Sequence, residues 1–195
     1  MSSREKILAA VKQNQPEPVP LPVVQNFEQP YTGLQEKFTS VLQSIGGKVY
    51  EVTSTNEVVA MLQAQLGNEG RIISLVKGFE PYAIFYNIHE NPHLLENVEV
   101  AIISAHFAVA ENGSVWVPDE LLPTRVLPFI CQHLVVLVNK NEIVSTMHDA
   151  YDAIGKATYG FGTFIAGPSK TADIEQSLVL GAHGPKTMTI FIIDA

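Results

Sequence analysis

Two neighbouring segments near the carboxyl end of the chain are dense in residues that can do chemistry. The first runs from Gly167 to Asp173, and the second is Leu180-Gly-Ala-His-Gly-Pro185. Gly167-Pro168 favours a turn and Ser169 is a good N-cap, so we expect a short helix to open here. Backbone N–H groups at such a helix start can hold a phosphate or carboxylate. A capped turn without a ligand is the alternative. The candidate ligand-binding residues of these segments are Gly167, Ser169, Lys170, Thr171, Asp173 and His183.

Glu111 is the candidate catalytic residue. It precedes an Asn-Gly turn signal between two predicted strands. In open α/β sheets, functional groups gather at strand ends, and a carboxylate there can act as a base, a nucleophile or a ligand anchor. The alternative interpretation is an acid on a solvated turn.

Arg125 and His133 are two further candidate ligand-binding residues. Arg125 is one of three arginines in the chain and lies shortly before an apolar run. A guanidinium can hold a carboxylate or phosphate with two hydrogen bonds, although a surface ion pair is an equally good interpretation. His133 begins a predicted strand, where a histidine can touch a ligand or serve the structure alone.

Two familiar patterns are incomplete in this chain. His89-Glu-Asn-Pro-His93 has the letters of a zinc-protease motif, but that motif needs a continuous helix, which Pro92 disrupts. Lys170-Thr171 follows a glycine, but the full phosphate-loop spacing is missing. We therefore expect a polar loop at the first pattern, no Walker-type nucleotide hydrolysis at the second, and no metal site.

Composition indicates a globular protein and excludes several classes. The 195 residues are 46% hydrophobic and 16% charged, with room for one core, and the net charge of −8 argues against nucleic-acid binding. We find no apolar run of about 18 residues and no signal core, so we expect no membrane span and a cytoplasmic location. Cys131 is the single cysteine, so the chain can form neither an internal disulfide nor a Cys-ligated iron–sulfur cluster of its own. We expect Cys131 to be a buried apolar residue.

The pattern along the chain predicts an α/β fold. Residues 2–13 read as an amphipathic helix, and prolines at 16, 18, 20 and 22 predict an extended linker. From Tyr31, predicted helices and strands alternate in β-α-β order, which favours a mostly parallel open sheet flanked by helices. We expect helices at 34–45, 55–66 and 145–154, and strands at 48–52, 71–76, 98–104, 115–117, 133–138 and 187–193. Residues 1–30 are thus an N-terminal helical arm with its linker, and 31–195 are the body.

Three segments together resemble one family. They are Ala105-His-Phe-Ala-Val-Ala-Glu-Asn-Gly-Ser-Val-Trp-Val117, Arg125 with Leu127-Pro128 and His133, and Gly167-Pro-Ser-Lys-Thr-Ala-Asp-Ile-Glu175 with Leu180 to Pro185. They are similar to motifs of the LUD-domain family, lactate-utilisation protein C type, over about residues 31–195. The C-terminal motif is the most diagnostic of the three.

The resemblance implies a NagB/RpiA/CoA-transferase-like fold and a role in oxidising L-lactate to pyruvate. It implies an accessory or substrate-binding subunit, with iron–sulfur clusters carried by partner subunits and a small anionic ligand in this one. It leaves open whether this subunit catalyses a step. Asn112 stands where the family usually has Thr, and the resulting Glu-Asn-Gly resembles the catalytic turn of CoA transferases. An acyl-transfer enzyme using Glu111 is therefore one alternative, and a pure interaction module is another.

Overall fold

The computed structural model describes residues 2–20, 33–67, 70–80, 82–85, 91–155, 157–172 and 178–194. By its contacts the chain divides into two units, Met1–Pro30 and Tyr31–Ala195. In the first unit, helix α1 (Ser3–Gln13) begins with a capping box in which Ser2 and Glu5 bond each other's backbone N–H. No residue of α1 is buried.

The second unit contains four helices and twelve strands among the described residues. The helices are α2 (Leu34–Ser44), α3 (Thr55–Leu66), α4 (Leu127–Ile130) and α5 (Met147–Ile154), with 3-10 turns at Pro92–Leu95 and Asp119–Leu121. The strands are β1 (Lys48–Val52), β2 (Arg71–Ser74), β3 (Ile84–Phe85), β4 (Val98–Ser104), β5 (Phe107–Val109), β6 (Ser114–Pro118), β7 (His133–Asn139), β8 (Ile143–Val144), β9 (Gly162–Ile165), β10 (Lys170–Ala172), β11 (Leu178–Leu180) and β12 (Thr187–Ile193).

A six-stranded sheet organises this unit, with strand order β1-β12-β7-β4-β2-β3. Every neighbouring pair in it is parallel. The central strands β4, β7 and β12 are nearly continuous runs of buried apolar residues, as expected for strands covered on both faces. The prediction of an α/β fold with a mostly parallel sheet flanked by helices is confirmed.

Different elements cover the two faces of the parallel sheet. On one face, Val58 and Leu62 of α3 pack with Val100, Ile102 and other apolar side chains of the sheet. On the other, Phe38 and Leu42 of α2 join a larger cluster that also takes in β5 and β6. Each face therefore has its own apolar core, and the sheet lies between them.

A second, four-stranded sheet was not anticipated from the sequence. Its order is β8-β5-β6-β9, and β5 and β6 pair antiparallel across the predicted Asn-Gly turn. Ala108 and Val115 of this sheet belong to the larger core, whereas Phe107 and Trp116 pack with Ala150 of α5. The four-stranded sheet is therefore buried on both sides, between the parallel sheet and α5.

Most predicted boundaries agree with the structure to within two residues, and one local expectation is wrong. Helix α5 begins two residues after its predicted start, because Thr146 caps the helix and forms a capping box with Asp149. The residues after Ser169 do not begin a helix, because Lys170–Ala172 is a strand that pairs with Leu178–Leu180. Hydrogen bonds between β10 and β11 form in this segment instead of a helix capped by Ser169.

Candidate functional site

Ser169 lies in the β10–β11 hairpin and its backbone is already engaged. Its N–H donates to the carbonyl of Pro185 at 2.9 Å, and its own carbonyl accepts from the N–H of Gly181 at 3.0 Å. The expected anion site needs free N–H groups at a helix start, and this one is bonded within the protein. The N–H of Ser169 is therefore already used within the protein and is not free to bind an anion.

The other candidates of the two C-terminal segments line up along the same hairpin. Gly167 is buried with a φ of +71°, and a side chain there would meet the carbonyl of Ile45. Lys170 and His183 are exposed, and Thr171 pairs with Val179 across the hairpin. Asp173, with Glu175, lies outside the described residues, as do His89 and Glu90 of the incomplete zinc pattern.

His133 lies at the amino end of β7, beside the start of β12. One of its ring nitrogens, Nδ1, is 2.7 Å from the Thr187 hydroxyl, and Nε2 is 3.5 Å from a carboxylate oxygen of Glu99. Burial lowers the pKa of His133; Glu99 opposes that shift, and Lys48 and Lys186 reinforce it. These contacts give His133 a part in joining three parallel strands.

Glu111 caps the start of α5. Its carboxylate accepts a hydrogen bond of 2.6 Å from the backbone N–H of Met147, the first residue of that helix. Its own N–H donates to the carbonyl of Ser145. A negative charge at a helix N-terminus is stabilising, so this contact accounts for the glutamate at this position without a ligand.

Arg125 is held by a carboxylate and an aromatic ring. Its Nε and a terminal nitrogen donate to the two carboxylate oxygens of Asp119, both at 2.8 Å. Its guanidinium carbon lies 5.1 Å from the centroid of the Phe161 ring, in cation–π geometry. These hydrogen bonds lower the pKa of Asp119 and keep it ionised. Arg125 thus forms the ion pair that was its alternative interpretation.

The contacts of Glu111, Arg125 and Ser169 therefore involve three different sets of neighbours. Of these three residues, only Arg125 has a described partner that lines a large cavity. This partner is Asp119, and the cavity volume is about 670 Å³. His106 and Glu142 also line this cavity, the first two residues after β4 and the second three residues after β7. Functional groups of open parallel sheets gather beyond the carboxyl ends of the strands, so we call this the carboxyl-edge cavity.

Polar groups of the carboxyl-edge cavity are partly paired with each other. Nε2 of His106 lies 2.6 Å from a carboxylate oxygen of Glu120, and Asp119 is bound by Arg125. Glu142 adds a third carboxylate, from the turn between β7 and β8. The described wall thus carries more acidic than basic groups.

Aromatic side chains form the apolar part of the same wall. Trp116, Phe107 and Tyr159 line the cavity, and the rings of Trp116 and Tyr159 meet edge to face with centroids 5.5 Å apart. Phe164 lies behind them, its ring centroid 4.6 Å from that of Trp116. A cavity with apolar rings and a few charged groups is the usual form of a small-molecule site.

Reasoning from the sequence did not select the residues of this cavity. His106 and Trp116 stand inside the family-like segment 105–117, but only Glu111 was selected from it. The available signal was that His106 follows a buried strand directly, a position the strand-end rule favours. Glu142 lies shortly after the predicted strand 133–138, so the same rule favours it, whereas Tyr159 had no such signal. Among the described residues, no group of three or more His, Cys, Asp or Glu is arranged to hold a metal.

Curated bacterial proteins are similar to this chain. Lactate utilization protein C of Bacillus pumilus (strain SAFR-032) is 31% identical over 111 residues, which are 54% of this chain and 46% of that protein. The protein of the same name from Macrococcus caseolyticus is 28% identical over 187 residues, 84% of this chain and 81% of that one. The chain covers 48% of the Oceanobacillus iheyensis relative, so it spans about half the length of several relatives it matches.

A solved structure and a family profile complete the comparison. The crystal structure of a DUF162 family protein from Deinococcus radiodurans superposes with a TM-score of 0.61 at 17% identity, covering 82% of this chain and 96% of that one. That likeness concerns the fold.

In the described part of the chain no helix has the length and apolar content to cross a bilayer.

The LUD domain profile matches residues 86–193, more than half of the sequence. The chain therefore belongs to the LUD domain family.

Proposed function

We propose that this chain is an accessory subunit of an iron–sulfur system that oxidises L-lactate to pyruvate, and that it contributes a ligand site rather than a cluster. The observation that carries the proposal is the similarity to proteins named lactate utilization protein C, from several bacteria. The structural support is the carboxyl-edge cavity, which lies where parallel α/β sheets place their ligands.

The chemistry of Cys131 supports the proposal that partner subunits hold the iron–sulfur clusters and this chain does not. Oxidation of lactate to pyruvate releases a pair of electrons and a pair of protons, and a cluster that accepts electrons is normally held by several cysteine thiolates. Cys131 is the single cysteine, it is 1% exposed, and burial raises the pKa of its thiol to about 12. The clusters of the proposed system therefore belong to partner subunits, and binding and proton transfer remain for this chain.

His106 and Glu120 are the groups we assign to proton transfer in the carboxyl-edge cavity. A histidine in contact with a carboxylate can accept a proton and share the resulting charge. His106→Gln removes the imidazole that would accept the proton. In the assembled system we expect this change to lower the rate of lactate oxidation, and to leave the association with partner subunits unchanged.

Gene deletion in the source organism tests the proposal. We expect deletion to abolish growth on L-lactate and lactate-dependent dye reduction in extracts, to leave growth on glucose unchanged, and the full chain to restore both. An affinity-tagged full chain from lactate-grown cells should co-purify with a protein that has iron–sulfur absorption. Growth on L-lactate at the normal rate without the gene would overturn the proposal.

The acyl-transfer alternative receives less support from the geometry. An attacking glutamate needs a carboxylate oxygen directed at its substrate. Glu111 instead has one oxygen bonded to the N-terminal N–H of α5. The contact explains the residue by its structural role.

A further inference from the structure

We propose that the carboxyl-edge cavity binds a nitrogen heterocycle that carries no phosphate, such as a flavin or purine ring without its phosphate ester. This inference rests on the site assigned under the proposed function and names the class of ligand. Size, charge and hydrogen-bonding capacity of the described wall each narrow that class.

Size separates the ligand from lactate itself. The cavity volume of about 670 Å³ falls in the range of sites that enclose drug-sized molecules. A three-carbon acid fills only a small part of such a space. A fused ring system can cover the exposed part of the Tyr159 ring, which is 45% exposed, and the small exposed part of Trp116, and it displaces water from both.

The charge of the described wall disfavours a phosphate. Asp119 is neutralised by Arg125 and Glu120 is close to His106, but Glu142 adds a carboxylate, and no described residue is in ion-pair contact with it. A phosphate that enters must approach all three carboxylates and is repelled by them, with the repulsion screened by solvent because Glu120 and Glu142 are exposed. An uncharged or cationic ring meets no such repulsion and can gain from cation–π contact with the aromatic wall.

Hydrogen bonding calls for both an acceptor and a donor on the ligand. Trp116 is 6% exposed, and its indole N–H donates to no described residue. No buried polar side-chain atom of the described residues lacks a partner, so this N–H is accessible to solvent, and Trp116 is one of the residues that border the cavity. A ligand that contacts Trp116 can accept from the indole through a carbonyl or ring nitrogen, and the carboxylates can accept from an N–H of the ligand. The edge of a nitrogen heterocycle offers both.

Tryptophan fluorescence gives a direct readout of occupancy, because Trp116 is the single tryptophan of the chain. The full chain is titrated with riboflavin and FMN and, in parallel, with adenosine and AMP, two pairs that differ by a phosphate. We expect at least one phosphate-free member to change the Trp116 emission in a saturable way. Its phosphate ester should bind at least about tenfold more weakly, because the ester brings negative charge into the acidic cavity.

Two variants test whether the ligand binds to the wall of the cavity, and calorimetry measures the affinity. Trp116→Phe keeps an aromatic ring and removes the N–H, and we expect about tenfold weaker binding of the phosphate-free ligand. Glu142→Gln removes a charge and leaves the apolar wall. The ratio of the affinity for the phosphate-free member to the affinity for its phosphate ester should therefore fall about threefold. Glu96→Gln carries the same charge change on a residue outside the cavity wall and should leave the preference unchanged.

Three outcomes would overturn the inference. They are equal or tighter binding of the phosphate esters, no saturable binding by any of the four probes, and tight binding of L-lactate that Trp116→Phe leaves unchanged. If Glu142→Gln weakens the association with a partner subunit and no probe binds, the cavity holds a protein side chain instead. Failure here is separable from failure of the proposed function, because growth on L-lactate after gene deletion does not depend on which molecule fills the cavity.

Discussion

At the scale of single residues, Glu111 separates a structural role from a catalytic one. Glu111→Ala removes the carboxylate that accepts from the first N–H of α5, and we expect a loss of about 1 kcal/mol in the free energy of unfolding. Glu111→Gln keeps an oxygen that can accept this hydrogen bond and should lose less than half as much. Urea denaturation followed by circular dichroism measures both variants.

The same two variants decide the acyl-transfer alternative. A glutamyl thioester at Glu111 would appear as a mass adduct after incubation with acyl-CoA, and both variants would lack it. We expect no adduct on the wild-type chain. An adduct on the wild-type chain that disappears in Glu111→Gln would contradict the capping role as a full account of the residue.

His133 gives the stability of the fold a dependence on pH. Burial lowers its pKa below the ordinary 6.5, so as the pH falls through 6.5 the unfolded chain takes up a proton before the folded one. The contribution of His133 to stability is thus present above pH 6.5 and is lost below it. The urea midpoint should fall between pH 7 and pH 5 in the wild type, and by less in His133→Asn. An equal fall in both would assign the effect to other groups.

Local chemistry along the sequence indicated what single residues can do, but not which residues the fold brings together. Arg125 was expected to bind a carboxylate or phosphate of a ligand, or else to form a surface ion pair, and it pairs with Asp119, which lines the cavity. Sequence reasoning did not pair His106 with Glu120, because their contact depends on how β5 follows β4. The spacing of residues along a chain does not encode such a meeting.

At the scale of elements, the β5–β6 turn is fixed by its approach to α2. Gly113 has a φ of +70°, and a Cβ there would lie 3.0 Å from backbone atoms of Leu42. Gly113→Ala should therefore cost about 1 kcal/mol for the left-handed backbone, and more because neither backbone can yield easily. Gly78→Ala is the matched control, with a φ of +90° and no contact closer than 3.8 Å. If the two variants lose the same stability in urea, the approach to Leu42 is not restrictive.

The elements themselves were largely predictable, and the exceptions have a common cause. Runs such as 98–104 and 187–193 are apolar enough to require burial on both faces, and the structure has β4 and β12 over those same residues. The three-residue strands β5, β10 and β11 are too short for such a signature, and they form because β5 pairs with β6 and β8, and β10 pairs with β11. The helix expected after Ser169 failed for this reason, because pairing with β11 outweighed the local cap.

At the scale of the whole molecule, the two units differ in what holds them together. Helix α1 has no buried residue, and its apolar side chains Ile7, Leu8 and Val11 are more than half exposed. Among the described residues of this unit, the interactions that stabilise α1 are its capping box and its helical hydrogen bonds. The body has two extensive apolar cores on the faces of the parallel sheet. Stability should thus reside in the body.

Removal of residues 1–20 tests this difference. We expect removal of the described residues 2–20, together with Met1, to change the free energy of unfolding by no more than about 0.5 kcal/mol, since residues 2–20 are all exposed and changes away from buried contacts have small effects. The slope of the free energy against urea should change little, because it follows the surface that unfolding exposes, and α1 buries almost none. Phe38→Ala in the full chain is the control for sensitivity: it empties a fully buried site and should cost about 3–5 kcal/mol. A drop of that size on truncation, with a smaller slope, would mean that the arm contributes to the core of the body.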